Sequence, residues 1–172
     1  MALDILALDY TITCEAPSQA EAITALTDHA FGPGRFVKTA ERLRENSTPL
    51  ADLSFVALVG DELIGSVRLW PVFVRHVDSE AGTPLAFLGP IVVADSWRGR
   101  EVGKTLIRHA VEAAFARGLP AVLLVGARSY FEPLGFVRAD GLTLPGPVDP
   151  NRLLIACAHA DVKLRGQVVT VI

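Results

Sequence analysis

The 172-residue chain contains only two cysteines, Cys14 and Cys157. They lie far apart and match no metal-ligand or redox spacing, so no metal site is expected and a disulfide scaffold is excluded. The expectation is two small buried hydrophobes in a reducing compartment. A large excess of charge of one sign is also missing. A formal net charge of −3 gives no electrostatic reason to expect nucleic acid or an anionic membrane as partner. No apolar run approaches the roughly 18 residues of a membrane-spanning helix. The 51% apolar content and mean hydropathy of +0.39 therefore point to a buried sheet. The first residues carry no basic start and include Asp4 and Asp9, so they do not read as a secretory signal, and a cytoplasmic location is expected. Repeats, low-complexity tracts and linkers are absent, which predicts one α/β domain over residues 1–172. That length falls within the usual range of roughly 100–200 residues per domain and suffices for a core without staples.

What is present reads as alternating strands and helices. Tyr10–Cys14 alternates β-branched and polar residues and predicts a strand. Ser18–Ala30 has Ala20, Ile23, Leu26 and Ala30 on one helical face, with Ser18 and Glu21 spaced as a capping box. A break at Phe31-Gly-Pro-Gly34 precedes a second helix expected over Val37–Glu45. Leu53–Val59 and Leu63–Val74, joined through Gly60-Asp61-Glu62, predict a hairpin, and Pro71 implies a bulge or an edge. His76–Thr83 reads as a loop and Leu85–Val93 as a third long strand. Glu101 to about Arg117 has Val102, Leu106, Ala110, Ala113 and Ala114 on one stripe and is closed by Gly118 and Pro120. Ala121–Val125 has no polar residue, which suits a strand covered on both faces in a parallel sheet. Ala127–Leu134 predicts a short helix and Gly135–Arg138 a strand start. Asp140–Pro150 reads as a loop, with closing strands at Leu153–Ala158 and Val168–Ile172.

The chemistry-bearing segment runs from Leu88 to Thr105, where a buried strand enters a Gly-containing basic turn that opens a helix. The first amides of a helix have no internal partner, and its dipole makes that end electropositive. Such a turn suits an anion, particularly where small residues let a phosphate approach the backbone. Arg98, Arg100 and Lys104 add positive charge. Gly89-Pro90 upstream marks a place where the ladder is broken, at a bulge, a splay or an edge. Gly99-Arg-Glu-Val-Gly-Lys-Thr105 ends like a nucleotide P-loop but has three residues between its glycines instead of four, so a triphosphate is disfavoured.

These residues resemble the GNAT superfamily of acetyl-CoA-dependent N-acetyltransferases. The family's Gln/Arg-x-x-Gly-x-Gly/Ala motif is read from Arg98 to Gly103, followed by Lys104-Thr-Leu-Ile107. A second signature, an aromatic followed by a turn and Gly-Phe, is similar to Tyr130-Phe-Glu-Pro-Leu-Gly-Phe136. Leu88-Gly-Pro90 and Val125–Tyr130 most resemble a bacterial branch of predicted acetyltransferases. The resemblance implies a single-domain α/β (α+β) fold of the acyl-CoA N-acyltransferase type. Its mixed central sheet would be splayed between the fourth and fifth strands and flanked by helices, with the closing strands as a C-terminal hairpin. It also implies acetyl-CoA as acyl donor, held through main-chain groups of Ile91, Val92 and Val93 and through the turn Arg98, Gly99, Arg100, Glu101, Val102, Gly103, Lys104 and Thr105. The pyrophosphate would meet the amides of Arg100–Lys104. The acceptor would be a small-molecule or peptide amine attacking the thioester directly, and pairing of protomers into a homodimer is a further implication.

Two positions depart from the family pattern. Glu101 stands where the middle glycine of the motif belongs, close to a doubly charged pyrophosphate. Phe131 occupies the usual position of the tyrosine that protonates the leaving thiolate, which leaves the adjacent Tyr130 as the candidate general acid. Together the two departures motivate the alternative of a catalytically weak or inactive acyl-CoA-binding module. The Leu85–Val93 strand carries no carboxylate, so His76, Glu80 and His159 are the titratable candidates for the base, and Trp70 and Phe73 are candidate acceptor-pocket residues.

Overall fold

The long apolar runs in the middle of the chain build a sheet around its longest strand. In the computed structural model, which describes residues 9–34 and 38–171, β1 (Thr11–Cys14) pairs antiparallel with β2 (Phe55–Val59). β2 pairs with β3 (Glu62–His76), and β3 with β4 (Gly82–Val93), both antiparallel. β4 then runs parallel to β5 (Ala121–Val125), beyond which β8 (Leu153–Cys157) and β6 (Val137–Arg138) complete the order. The sheet is therefore mixed, with the parallel β4–β5 pair in its middle, as the resemblance implied.

Both faces of that middle are covered. α3 (Val102–Ala116) buries Val102, Leu106, Ile107, Ala110 and Ala114 against Ala86 and Leu88 of β4 and Val122 and Leu124 of β5. The alternate residues Leu85, Phe87 and Leu123 face the other way and pack with Leu43, Trp70 and Leu153. This two-sided burial is why β5 needs no polar residue. Each fully buried leucine or isoleucine here contributes about 1.5–3 kcal/mol relative to exposure. No helix among the described residues is long and apolar enough to cross a membrane.

Several local expectations are corrected. The first helix, α1 (Ala20–Phe31), is preceded by one 3-10 turn at Pro17–Gln19. The reciprocal cap is supplied by Gln19, whose Oε1 accepts from Ala16 N at 2.8 Å, so Ser18 and Glu21 do not form the box. Pro17, with its φ preset for a helix start, moves the cap one turn upstream. The second helix shrinks to one turn, α2 (Thr39–Arg42), and the predicted start at Val37 lies outside the described residues. Of the two expectations for Pro71, the edge holds and the bulge does not. Pro71 pairs with Ala86, on a stretch of β3 between the parts flanked by β2 and by β9 (Gly166–Thr170), where a missing N–H costs no ladder bond.

The predicted C-terminal hairpin is absent. β8 joins β5 and β6, whereas β9 crosses to the far flank of β3, pairing Val72–His76. β3 outruns β2, and its uncovered end is a free edge that β9 takes, burying Val168 beside Val72 and Val74. The predicted loop at 140–150 contains a two-residue strand, β7 (Leu142–Thr143), parallel to β9. Both cysteines are exposed thiols, because each ends its strand (β1 and β8) on a residue that faces solvent.

Candidate functional site

The β3–β4 ladder steps at one place. Val67 lies opposite Ile91 and Leu69 opposite Leu88, so Gly89 and Pro90 together face the single residue Arg68. This is a bulge in β4 at the predicted interruption. Gly89 has φ +136°, a conformation that favours glycine, and it leaves room for the Arg44 guanidinium, whose Nη2 would lie 2.5 Å from a Cβ there. The bulge is also pinned by Trp70, whose indole Nε1 donates to Gly89 O at 2.6 Å. On the opposite flank β4 pairs with β5 only at Ala86–Val122 and Phe87–Leu123. Past these pairs the two strands part. Leu88, Gly89, Pro90 and Ile91 from one strand and Leu124, Val125 and Gly126 from the other line a cavity of about 620 Å³.

β4 then passes through a 3-10 turn, Asp95–Trp97, into the start of α3. Gly99 (φ +77°) and Glu101 (φ +63°) both take left-handed conformations that fold the chain back into the helix. The first intrahelical donor is Thr105 N, bonded to Glu101 O at 2.9 Å. The amides of Val102, Gly103 and Lys104 precede it and have no partner within the helix. A Cβ on Gly103 would lie 3.5 Å from Val93 Cγ2, so the helix start stands against the end of β4. The side chains around it are already engaged. Arg98 pairs with Asp95 at 3.2 Å, Arg100 stacks over Trp97 at 4.8 Å, and the Thr105 hydroxyl donates to Glu101 O. His29 and then Arg98 hold the Asp95 carboxyl below its ordinary pKa. The polar groups left open at the helix start are therefore mainly backbone amides, with engaged cations at the rim.

Glu101 occupies its position by backbone geometry. A glycine there supplies positive φ without cost, whereas an L-residue in that region costs roughly 1–2 kcal/mol. Its carboxylate turns outward, 62% exposed, and meets Lys104 Nζ at 3.5 Å. Tyr130, on α4 (Arg128–Phe131), lays its ring under Lys104 Nζ and brings its hydroxyl within 2.9 Å of where a Gly103 Cβ would be. Burial first, and the Glu101 charge second, raise the pKa of this phenol. Phe131 turns the other way, is 7% exposed, and lines the cavity beside Gly126.

A model of the acetyltransferase (GNAT) family matches residues 20–136, the stretch that holds the bulge, the parted strands and the helix start. The chain belongs to that family. Two solved structures show the same fold. The GNAT-family N-acetyltransferase YhbS of Escherichia coli, solved in complex with CoA, superposes with a TM-score of 0.78 at 23% identity, over 94% of this chain and 89% of that one. A GNAT-family acetyltransferase of Brucella melitensis, solved with acetyl-CoA, gives a TM-score of 0.70 at 22% identity, over 94% and 96% of the two chains. A search of curated proteins finds no significant match.

The residues predicted to hold the cofactor follow one another along a single segment, and only Ile91 among them lines the cavity. Val92 is buried opposite Ser66, and Val93 abuts Gly103. Residues 98–105 form the turn and first coil of α3. The predicted bases are scattered. His76 ends β3 and bonds Thr83 Oγ1 at 3.0 Å, Glu80 is exposed in the β3–β4 loop, and His159 is exposed after β8; none lines the cavity. Trp70 and Phe73 do not line it either. The cavity's polar wall comes from residues the sequence reading passed over: Lys38, Thr39, Glu41 and Arg44 at α2, and Asp149 and Arg152 before β8. Arg44 pairs with Glu41 at 2.9 Å with both side chains largely buried, and its guanidinium lies 5.5 Å over the Phe87 ring. The i, i+3 spacing of Glu41 and Arg44 was the available signal, and on a short polar segment it looks like a solvated pair. Among the described residues no cluster of His, Cys, Asp and Glu is placed to hold a metal.

Proposed function

We propose that this protein moves an acetyl group from acetyl-CoA to a primary amine by direct transfer. The observation that carries the reading is the junction of two features on one strand: β4 parts from β5 at the Gly89-Pro90 bulge, then delivers the chain to a helix start with unpartnered amides. The diphosphate fits the amides of Val102, Gly103 and Lys104, where the helix dipole favours an anion. The thioester arm fits between the parted strands, against the main chain of Ile91–Val93. There a neutral amine attacks the carbonyl while a backbone N–H of the broken ladder polarises its oxygen, the logic of an oxyanion hole. The carbon–nitrogen bond forms as the carbon–sulfur bond breaks, and the amine's proton is lost.

Side chains add less. β4 carries no carboxylate. On the cavity wall Glu41 is engaged by Arg44 and Asp149 accepts from Asn151 N, so water carries the proton away. The Tyr130 hydroxyl lies over Gly103, at the diphosphate end, and serves there as a donor to the cofactor. The side chain facing the thioester is Phe131, and CoA sulfur leaves as thiolate without a tyrosine acid. Phe131 also supports a second reading, an acyl-CoA-binding module with weak or no catalysis. Release of CoA thiol from acetyl-CoA, followed across a broad amine panel, separates the two. Amine-dependent release supports the transferase, and saturable acetyl-CoA binding without release from any amine supports the binding module.

A further inference from the structure

We infer that the acceptor is a compact small-molecule amine and not a lysine or N-terminus carried on an extended polypeptide. The inference rests on the transferase reading and concerns the half of the cavity away from α3. Two segments wall that half, α2 and the proline-rich loop before β8, and they close on each other. Thr39 Oγ1 donates to Pro147 O at 2.5 Å, and Arg42 Nη1 donates to Pro145 O at 3.0 Å. Between these bonds sits Gly146, where a Cβ would come within 2.6 Å of Arg42 Nη1 and 3.0 Å of Thr39 Oγ1. The Arg42 and Thr39 side chains thus lie directly against the loop backbone at Gly146.

The closure bounds the cavity, because Thr39 and Pro147 both line it. The loop is also stiff. Prolines at 145, 147 and 150 restrict its backbone, and Asp149 ties its end through a bond from Asn151 N to Oδ1 and one from Arg152 N to its carbonyl. An extended peptide advances about 3.3 Å per residue and needs a groove open at both ends. Here one end is shut by hydrogen bonds between segments more than a hundred residues apart in sequence. The cavity of about 620 Å³ falls in the small-molecule range of about 300–1,000 Å³, and the thioester arm takes part of it. Charge agrees with this. The wall mixes Lys38, Arg44 and Arg152 with Glu41 and Asp149, whereas a surface for lysine-rich chains would be predominantly acidic.

The test compares two pools at saturating acetyl-CoA by release of CoA thiol. One pool holds spermidine, glucosamine, histamine, 2-phenylethylamine and free amino acids, and the other holds unstructured lysine-bearing peptides with free N-termini. The wild-type protein is expected to favour its best compact amine by about 100-fold in kcat/KM, equivalent to about 2.7 kcal/mol. The double variant Thr39→Ala/Arg42→Ala, which unties the wall, is expected to narrow that gap at least about tenfold, with acetyl-CoA affinity kept. Peptide turnover by the wild type at or above the best compact amine overturns the inference and leaves the transferase reading standing. A preference that survives the double variant unchanged overturns the role given to the wall. Acetyl-CoA binding with no turnover of either pool overturns the transferase reading, and the inference with it.

Discussion

The two halves of the candidate site are built by different means. The half at the start of α3 consists of backbone: a bulged strand that reaches the cavity through residues 88–91, then a turn with two left-handed residues and three helix-start amides beyond it, all supplied by one continuous segment from Leu88 to Thr105. The half at α2 is the cavity wall of side chains and loop carbonyls, brought together from segments about a hundred residues apart. The first half needs particular backbone conformations, and Glu101 can stand at a glycine position because its carboxylate turns outward toward Lys104. The second is specified by individual side chains, so its selectivity can change without disturbing the sheet. A chain can thus keep one donor while its acceptor varies.

Substitutions on the backbone-built half should therefore move cofactor binding and leave acceptor preference alone. The largest effect is expected for Gly103→Val. Its side chain would crowd the Tyr130 hydroxyl and cover the amides, lowering CoA affinity by at least about tenfold, or about 1.4 kcal/mol. Calorimetry measures this, and an unchanged affinity would remove the helix start as the diphosphate site. Next comes Tyr130→Phe, expected to weaken CoA binding by about 0.5–1.5 kcal/mol, the worth of one hydrogen bond, with kcat within about twofold of wild type. Because the phenol's pKa is raised above its ordinary value of about 10, the hydroxyl remains a donor and the deficit should be flat from about pH 6 to 9. A fall in kcat with CoA affinity kept would return the residue to the role of general acid.

The smallest effect is expected for Glu101→Gly. Relief of the left-handed conformation, offset in part by the greater freedom of glycine when unfolded, should stabilise the fold by about 0.5–1 kcal/mol. Thermal unfolding reads this as a rise in Tm of about 1–4 °C. Removal of the charge should also tighten CoA binding by about two- to fivefold, a modest change because the carboxylate faces solvent and Lys104. A lower Tm would show that the Glu101–Lys104 pair outweighs the backbone strain.

The same contrast explains what the sequence made legible. Periodicity and turn residues are local signals, so the long strands, α3 and the parting at Gly89-Pro90 were readable. The family motif lies wholly within that contiguous stretch. Partner choice is not local: the run near Val168 announces a strand but does not say that β3 has a free edge waiting for it, so a hairpin was expected instead. The sign of φ at Glu101 is equally hidden, since glutamate gives no hint of a left-handed position. The acceptor wall was invisible because Thr39, Arg42 and Gly146 acquire meaning only once the fold brings them together. The cysteines misled because their burial depends on which strand ends reach solvent.

The central claim, that the chain holds the diphosphate of a CoA thioester on the amides at the start of α3, is tested most directly by calorimetric titration of the unmodified protein with CoA. The expected result is saturable one-site binding with a dissociation constant on the order of micromolar. Absence of saturable heat at millimolar CoA would contradict the account.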